Sequence, residues 1–261
     1  MRLRPRVALR CGFTHGGRHR TVQRLAGAHE LLDGPLDDAT VLRGNLRDLR
    51  RFNRWLGGAA ISRRAVGRLL DGRLGEQSLL DVGTGGADIP VALLAAAART
   101  GRPLRVVAVD SRTEVIEAAR AGDPRLDRLP ALELGVSDAR SLPYPDRSFD
   151  VVHASLVLHH LEPGDAVDFL REARRVARRG VVINDLVRAR HHWLAAWLLV
   201  RLTTRNRYSR NDASLSVRRA YTRVEARALL AAAGLRPVAE VGGPFGHRVA
   251  YAAVAIPEDR G

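Results

Sequence analysis

The sequence predicts an α/β fold: a doubly wound, seven-stranded, mostly parallel sheet behind an N-terminal helical cap. Three observations predict it. After Gly75, short apolar runs ending in small or acidic residues alternate with Ala- and Arg-rich stretches of helical spacing. Glycines crowd the turn that follows the first of these runs. The 261 residues suffice for one large domain with extensions. Strands that alternate with helices assemble into a sheet covered on both faces, and such sheets bind ligands beyond the carboxyl ends of their strands.

In chain order, residues 10–24 hold Gly, His and Arg with little apolar content, and residues 1–24 are expected to form a disordered leader. Helical spacing over 25–32, 36–56 and 58–73 predicts the cap, with Leu46, Leu49, Phe52 and Leu56 at steps of three and four. Residues 76–261 form the main domain. Its strands are expected at 78–83, 104–109, 131–136, 149–154, 180–185, 236–241 and 249–255, and its helices at 88–99, 112–120, 164–178 and 223–233. Residues 188–223 are too long for a plain crossover after the fifth strand and read as a lid on the ligand side. Within the lid, Trp193, Trp197, Val200 and Arg201 fall at helical steps.

The net charge of +15 resides in two segments. Residues 1–26 carry seven Arg and no acid, and residues 188–223 carry nine Arg against Asp212 alone. All 43 basic residues are Arg, and the remaining 27 are balanced by 27 acids. The body of the fold is therefore electrically ordinary, and an anionic partner would meet the extensions. The longest apolar runs, Trp193 to Val200 among them, are too short to span a bilayer. No secretory signal pattern is present, so a cytoplasmic location is expected. Cys11 is the only cysteine, which excludes an internal disulfide.

The turn after the first strand reads Asp81-Val82-Gly83-Thr84-Gly85-Gly86-Ala87-Asp88. Glycines there permit positive φ and close approach of a ligand, and the next helix offers free N–H groups. A dinucleotide fingerprint needs a third glycine where this chain has Asp88, whose charge would repel a pyrophosphate. Asp81 and Asp88 together favour a partly cationic ligand. The second strand ends in Asp110, whose carboxylate can accept bonds from both hydroxyls of a ribose; equally, Asp110 or Ser111 can cap the following helix. A third acid, Asp138, follows the third strand, and Ser141-Leu-Pro-Tyr-Pro-Asp-Arg-Ser-Phe-Asp150 leads into the fourth.

These motifs, with Leu158-His159-His160-Leu161, resemble the class I S-adenosylmethionine-dependent methyltransferases, a Rossmann-like family, over roughly residues 76–186. The resemblance implies that S-adenosylmethionine is the cofactor. It implies that Gly83, Thr84 and Gly85, within the turn that includes Gly86, contact the methionine moiety and that Asp110, beside Ser111, holds the ribose. Asp138 would bond the adenine amino group, supported by Ala139, while Ser155 borders the sulfonium. The family's usual glycine after the turn falls on Ala87. Within the class, the chain looks most similar to quinone-biosynthesis enzymes and to those that methylate phenolic or polyketide products.

His159 or His160 could act as a general base, or could equally cap a helix or pack beneath the cofactor. His191 and His192 are adjacent rather than spaced on one helical face, and no metal site is expected. Trp197, Arg218 and Tyr221 are the candidate acceptor contacts of the lid, whose apolar stripe and arginines suit a lipophilic or anionic acceptor or a peripheral membrane surface. The rivals are a dinucleotide-binding Rossmann protein, disfavoured by Asp88, and a nucleic-acid methyltransferase. Against the latter, the stretch after the fourth strand is Ser155-Leu156-Val157 rather than an Asn/Asp-Pro-Pro-aromatic signature, and no cysteine is near.

Overall fold

The computed structural model describes residues 22–257, apart from 37, 73 and 74. Most of the expected leader, with Cys11, lies outside the described residues. Among the described residues seven strands form one sheet: β1 (Gln77–Val82), β2 (Leu104–Asp110), β3 (Leu132–Val136), β4 (Phe149–Ser155), β5 (Ala177–Leu186), β6 (Leu235–Gly242) and β7 (Arg248–Ala255). Their spatial order is β3-β2-β1-β4-β5-β7-β6. The first five run parallel, and β7 lies antiparallel between β5 and β6.

Alternate residues of each strand feed opposite cores, as a pleat demands. Leu79, Val106, Ala108, Val151 and Val182 pack beneath Ile61, Ala65 and Val66 of α2 (Gly58–Leu70) and Ile89 and Leu93 of α3 (Asp88–Arg99). Leu80, Val82, Val107, Val109 and Val152 pack under Phe169, Leu170 and Ala173 of α5 (Pro163–Val176) and Leu229 and Leu230 of α8 (Arg223–Ala232). Because both faces are covered, the strands are nearly continuous in apolar residues, and ligands are left the strand ends.

Above those ends lie α1 (Ala39–Trp55), α6 (Arg190–Thr203) and α7 (Arg207–Arg219), while α4 (Thr113–Gly122) packs against β2, β3 and α1. The Asp38 carboxylate starts α1 by accepting from the Thr40 and Val41 amides. Asn206 does the same for α7 through Tyr208 and Ser209, and its amide nitrogen donates to the Val41 carbonyl, tying the lid to the cap.

The expected helix over 25–32 is absent. That stretch is a turn at Gly27 followed by a single 3₁₀ turn, Leu31–Asp33. The Leu31 and Leu32 amides donate to the Asp212 carboxylate of α7, so a tertiary acceptor satisfies them where a preceding turn of helix would not. The last cap helix ends at Leu70 rather than 73. β5 begins at Ala177 with no intervening loop, inside the expected span of the preceding helix. The polar α7 was not anticipated, because its apolar face is small and its formation depends on packing against α6 and α1. Arg24, placed in the expected leader, instead bonds Glu162 and stacks on Tyr221.

Candidate active site

A cavity of about 840 Å³ opens at the carboxyl ends of β1, β2 and β4, roofed by α1, α6 and α7. That volume lies toward the large end of small-molecule sites. Its floor is the glycine turn. Gly83 adopts φ of +70°, and a Cβ there would overlap the Val157 Cγ2 methyl, so two independent constraints demand glycine. Gly85, at φ of +53°, has nothing nearer than Leu46 Cδ2 at 3.8 Å from where its Cβ would stand, which leaves room for a ligand. Ala87, in the place of the family's usual glycine, holds the left-handed conformation at φ of 54° and is fully buried. Gly86 lines the floor beside it.

The Asp110 carboxylate lies at the rim, accepting from the Gly85 amide at 3.1 Å and the Arg112 amide at 3.3 Å. It is therefore both a turn clamp and an anionic group on the cavity wall. Burial pushes its carboxyl above the usual range, opposed by those amide donors. Ser111 also lines the cavity but caps nothing; α4 starts after Arg112 without a side-chain cap. Asp138 lies on the cavity rim, where Arg140 holds it at 3.0 Å and keeps its carboxyl below the ordinary value. Ala139 packs on the main core beside it.

The turn's acids have protein partners. Asp81 accepts from His153 Nδ1, and His153 Nε2 meets Ser62 Oγ at 2.8 Å. Ser62 accepts in turn from Asn184 Nδ2 at 2.7 Å. Asn184 and Asn53 both present carbonyl oxygens to Arg248, whose third contact is Ser155 Oγ at 2.9 Å. Asn53 Nδ2 finally reaches Asp88 Oδ2 at 3.0 Å. This buried chain of polar groups joins β1, β4, β5, β7, α1 and α2 beneath the turn and fixes the positions of Asp81, Asp88 and Ser155.

His159 and His160 end a 3₁₀ turn, Leu158–His160, and both line the cavity. His159 Nδ1 bonds Asp185 at 2.7 Å, and His160 Nδ1 bonds Asp33 at 2.8 Å. The structure corrects the three lid contacts. Trp197 faces outward beneath Arg201, Tyr221 donates to the Leu161 carbonyl, and Arg218 lies off the cavity wall. Of the expected stripe, Val200 lines the cavity; with Ala195, Ala196 and Leu199 of α6 and Ala213 and Val217 of α7 it forms the apolar wall.

Sequence reasoning missed Glu30, Arg248 and His247, which also line the cavity. Arg248 and His247 lie at the start of an antiparallel strand, where no motif marked them. Both ring nitrogens of His247 are buried without a hydrogen-bond partner. Burial, then Arg248 and His192, lowers its pKa from 6.5 to about 4. Below pH 6.5 the unfolded chain therefore takes up a proton that native His247 refuses, and stability falls as pH drops from about 6.5 toward about 4. Discounted for partial exposure, the loss is on the order of 1–2 kcal/mol. In chemical denaturation across that range, His247→Gln is expected to lose less stability than the wild type; parallel curves would contradict the assignment.

Residues 80–183 match the family described as a methyltransferase domain. The chain is 41% identical over 112 residues to an uncharacterized 37.1 kDa protein in transposon Tn4556 of Streptomyces fradiae, covering 42% of this chain and 30% of that protein. It is 32% identical over 102 residues to the 27-O-demethylrifamycin SV methyltransferase of Amycolatopsis mediterranei, covering 39% and 35% respectively. The matched region is thus about a third of the length of these relatives. A SAM-dependent methyltransferase structure from Aquifex aeolicus superposes with a TM-score of 0.57 at 21% identity, covering 82% of this chain and 98% of its own, which establishes the common fold.

Proposed function

We propose that this chain transfers the methyl group of S-adenosylmethionine to a hydroxyl, or to an activated ring carbon, of a small phenolic, polyketide or quinone-like acceptor. One observation carries the reading: a single cavity joins a polar cradle at the ends of β1 and β2 to an apolar wall from α6 and α7. The cradle fits the cofactor. Gly85 leaves open space, and the buried Thr84 Oγ1 and Ser137 Oγ have no protein partner. Gly83, Thr84, Gly85 and Gly86 would hold the methionine moiety, with Asp81 and Ser155 bordering it. Asp110 and Ser111 would meet the ribose, and Asp138 and Ala139 the adenine. When bound, the cofactor supplies a methyl carbon already activated by sulfonium.

The protein's task is then alignment and exclusion of water. The apolar lid wall positions the acceptor, and His159 and His160 meet its hydroxyl. α6 turns Leu194, Leu198 and Leu202 outward beside Trp197 and Arg201, a face suited to taking a lipophilic acceptor from solution or from an anionic membrane surface. Among the described residues no helix is long and apolar enough to cross a membrane. S-adenosylhomocysteine at a hundredfold its Kd is expected to stabilise the chain by about 2.7 kcal/mol, and NAD to leave it unchanged. Stabilisation by NAD alone would defeat the reading. Labelled methyl donor with pooled phenolic and quinone precursors then identifies the acceptor class.

A further inference from the structure

A second constellation on the cavity wall takes no part in the cofactor cradle. Glu30 precedes the Leu31–Asp33 turn and meets His159 and His160, far along the chain, where α7 and the 3₁₀ turn after β4 come together. Each imidazole commits Nδ1 to a carboxylate, Asp185 for His159 and Asp33 for His160. That leaves Nε2 of both rings directed at one group. His159 Nε2 lies 3.7 Å from Glu30 Oε1, and His160 Nε2 lies 3.8 Å from Glu30 Oε2. These separations are too long for hydrogen bonds. They are close to the spacing of donor atoms around one ion at metal–ligand distances of about 2.0–2.2 Å.

Two further observations point to a ligand. The Glu30 side chain is only 3% exposed, yet its Oε1 has no hydrogen-bond partner. Four carboxylates, Glu30, Asp33, Asp185 and Asp212, surround this corner, with Arg219 beside Glu30 and Asp33 and the more distant Arg248 acting on Asp185 through its field. Arg219 is engaged by Asp33 and by the His160 carbonyl, and stands 3.7 Å from Glu30. Negative charge is in excess in a poorly solvated place, which a divalent cation would relieve. The carboxylate–imidazole–ion relay, present here on both rings, is the usual way proteins orient metal-binding histidines.

We infer that Glu30, His159 and His160 form a binding site for a first-row divalent transition-metal ion. Two imidazoles and one carboxylate suit Zn²⁺, Co²⁺ or Mn²⁺ better than Mg²⁺ or Ca²⁺. All three residues line the cavity, so the remaining coordination positions face the acceptor. Resting on the function proposed above, the site selects acceptors whose hydroxyl oxygen can enter the ion's open position, where its proton is released to water more readily. The sequence reading expected no metal because it weighed only the adjacent His191 and His192; the third ligand comes from a distant segment with no motif of its own.

The test uses the full chain, stripped with a chelator and titrated with Co²⁺ alone. One equivalent is expected to bind with the visible absorption of a low-coordinate nitrogen–oxygen site, displaced by Zn²⁺ and not by excess Mg²⁺. Glu30→Gln and His160→Gln are each expected to weaken binding by about tenfold or more. S-adenosylhomocysteine affinity, measured on the same samples, reports that each variant is folded. Wild-type chain that takes up no Co²⁺ overturns the site, as does a folded Glu30→Gln variant that binds Co²⁺ like the wild type. Stripped enzyme that still methylates a phenol at full rate overturns the ion's role and leaves the methyltransferase reading standing. Failure to bind S-adenosylhomocysteine, with Co²⁺ binding intact, overturns only the methyltransferase reading.

Discussion

Replacing Asp110 with alanine is expected to weaken S-adenosylhomocysteine binding by about 1.5–3 kcal/mol for each charge-assisted bond lost, roughly ten- to a hundredfold per bond. β2 runs parallel to β1 and is one residue longer past their shared register, which brings Asp110 level with the glycine turn. Its Oδ2 accepts from Gly85 and its Oδ1 from Arg112, so the carboxylate is held in one orientation before any ligand arrives. Burial raises its pKa, which means the anion is poorly solvated and gains from further donors such as two adjacent hydroxyls. Alanine removes those contacts and also frees the Gly85 amide, loosening the floor. Asp110→Asn keeps an acceptor for the turn and is expected to fall between alanine and wild type. Calorimetry decides: unchanged affinity in a folded Asp110→Ala variant would leave the carboxylate with the turn-clamping role alone.

The parts of this fold that depend on local pattern were legible in the sequence. The strands end within a few residues of their expected positions because a buried parallel strand must be apolar throughout, and its end is marked by a glycine, an acid or a serine. The floor of the cavity was legible for the same reason, since Gly83 and Gly85 need a conformation few other residues adopt. Contacts set by distant segments were not legible. The turn at 27–33 exists because Asp212 captures its amides. Trp197 was assigned to the pocket on periodicity alone, yet periodicity gives the angle between stripes and not which stripe faces inward; the small residues Ala195 and Ala196 do. Asp138 was matched by position, while its ion pair with Arg140, two residues on, became visible only in the structure.

Arg248→Met is expected to destabilise the protein by about 2–4 kcal/mol and to lower Tm by roughly 5–12 °C. Arg248 is 3% exposed, and its hydrogen-bond partners Asn184, Asn53 and Ser155 carry no charge. Burial lowers its pKa from 12.5 to about 10, so the guanidinium is held at a cost, offset in part by the fields of Asp185 and Asp88. Methionine keeps an unbranched apolar stem, lacks the guanidinium and so removes that cost. It also leaves the carbonyl oxygens of Asn53 and Asn184 buried without donors, each costing about 1–3 kcal/mol, and loses bonds from a charged donor worth more than neutral ones. The losses outweigh the gain. The start of α2 is exposed to the same change, because Gly58 packs against the guanidinium and its carbonyl accepts from Asn184. Freed of Arg248, Asn53 and Ser155 lose the contacts that set them beside Asp88 and the glycine turn, so S-adenosylhomocysteine affinity is expected to fall with stability. Chemical denaturation and calorimetry on the same variant read both. Stability within about 0.5 kcal/mol of wild type would show that the buried guanidinium contributes nothing net to the network.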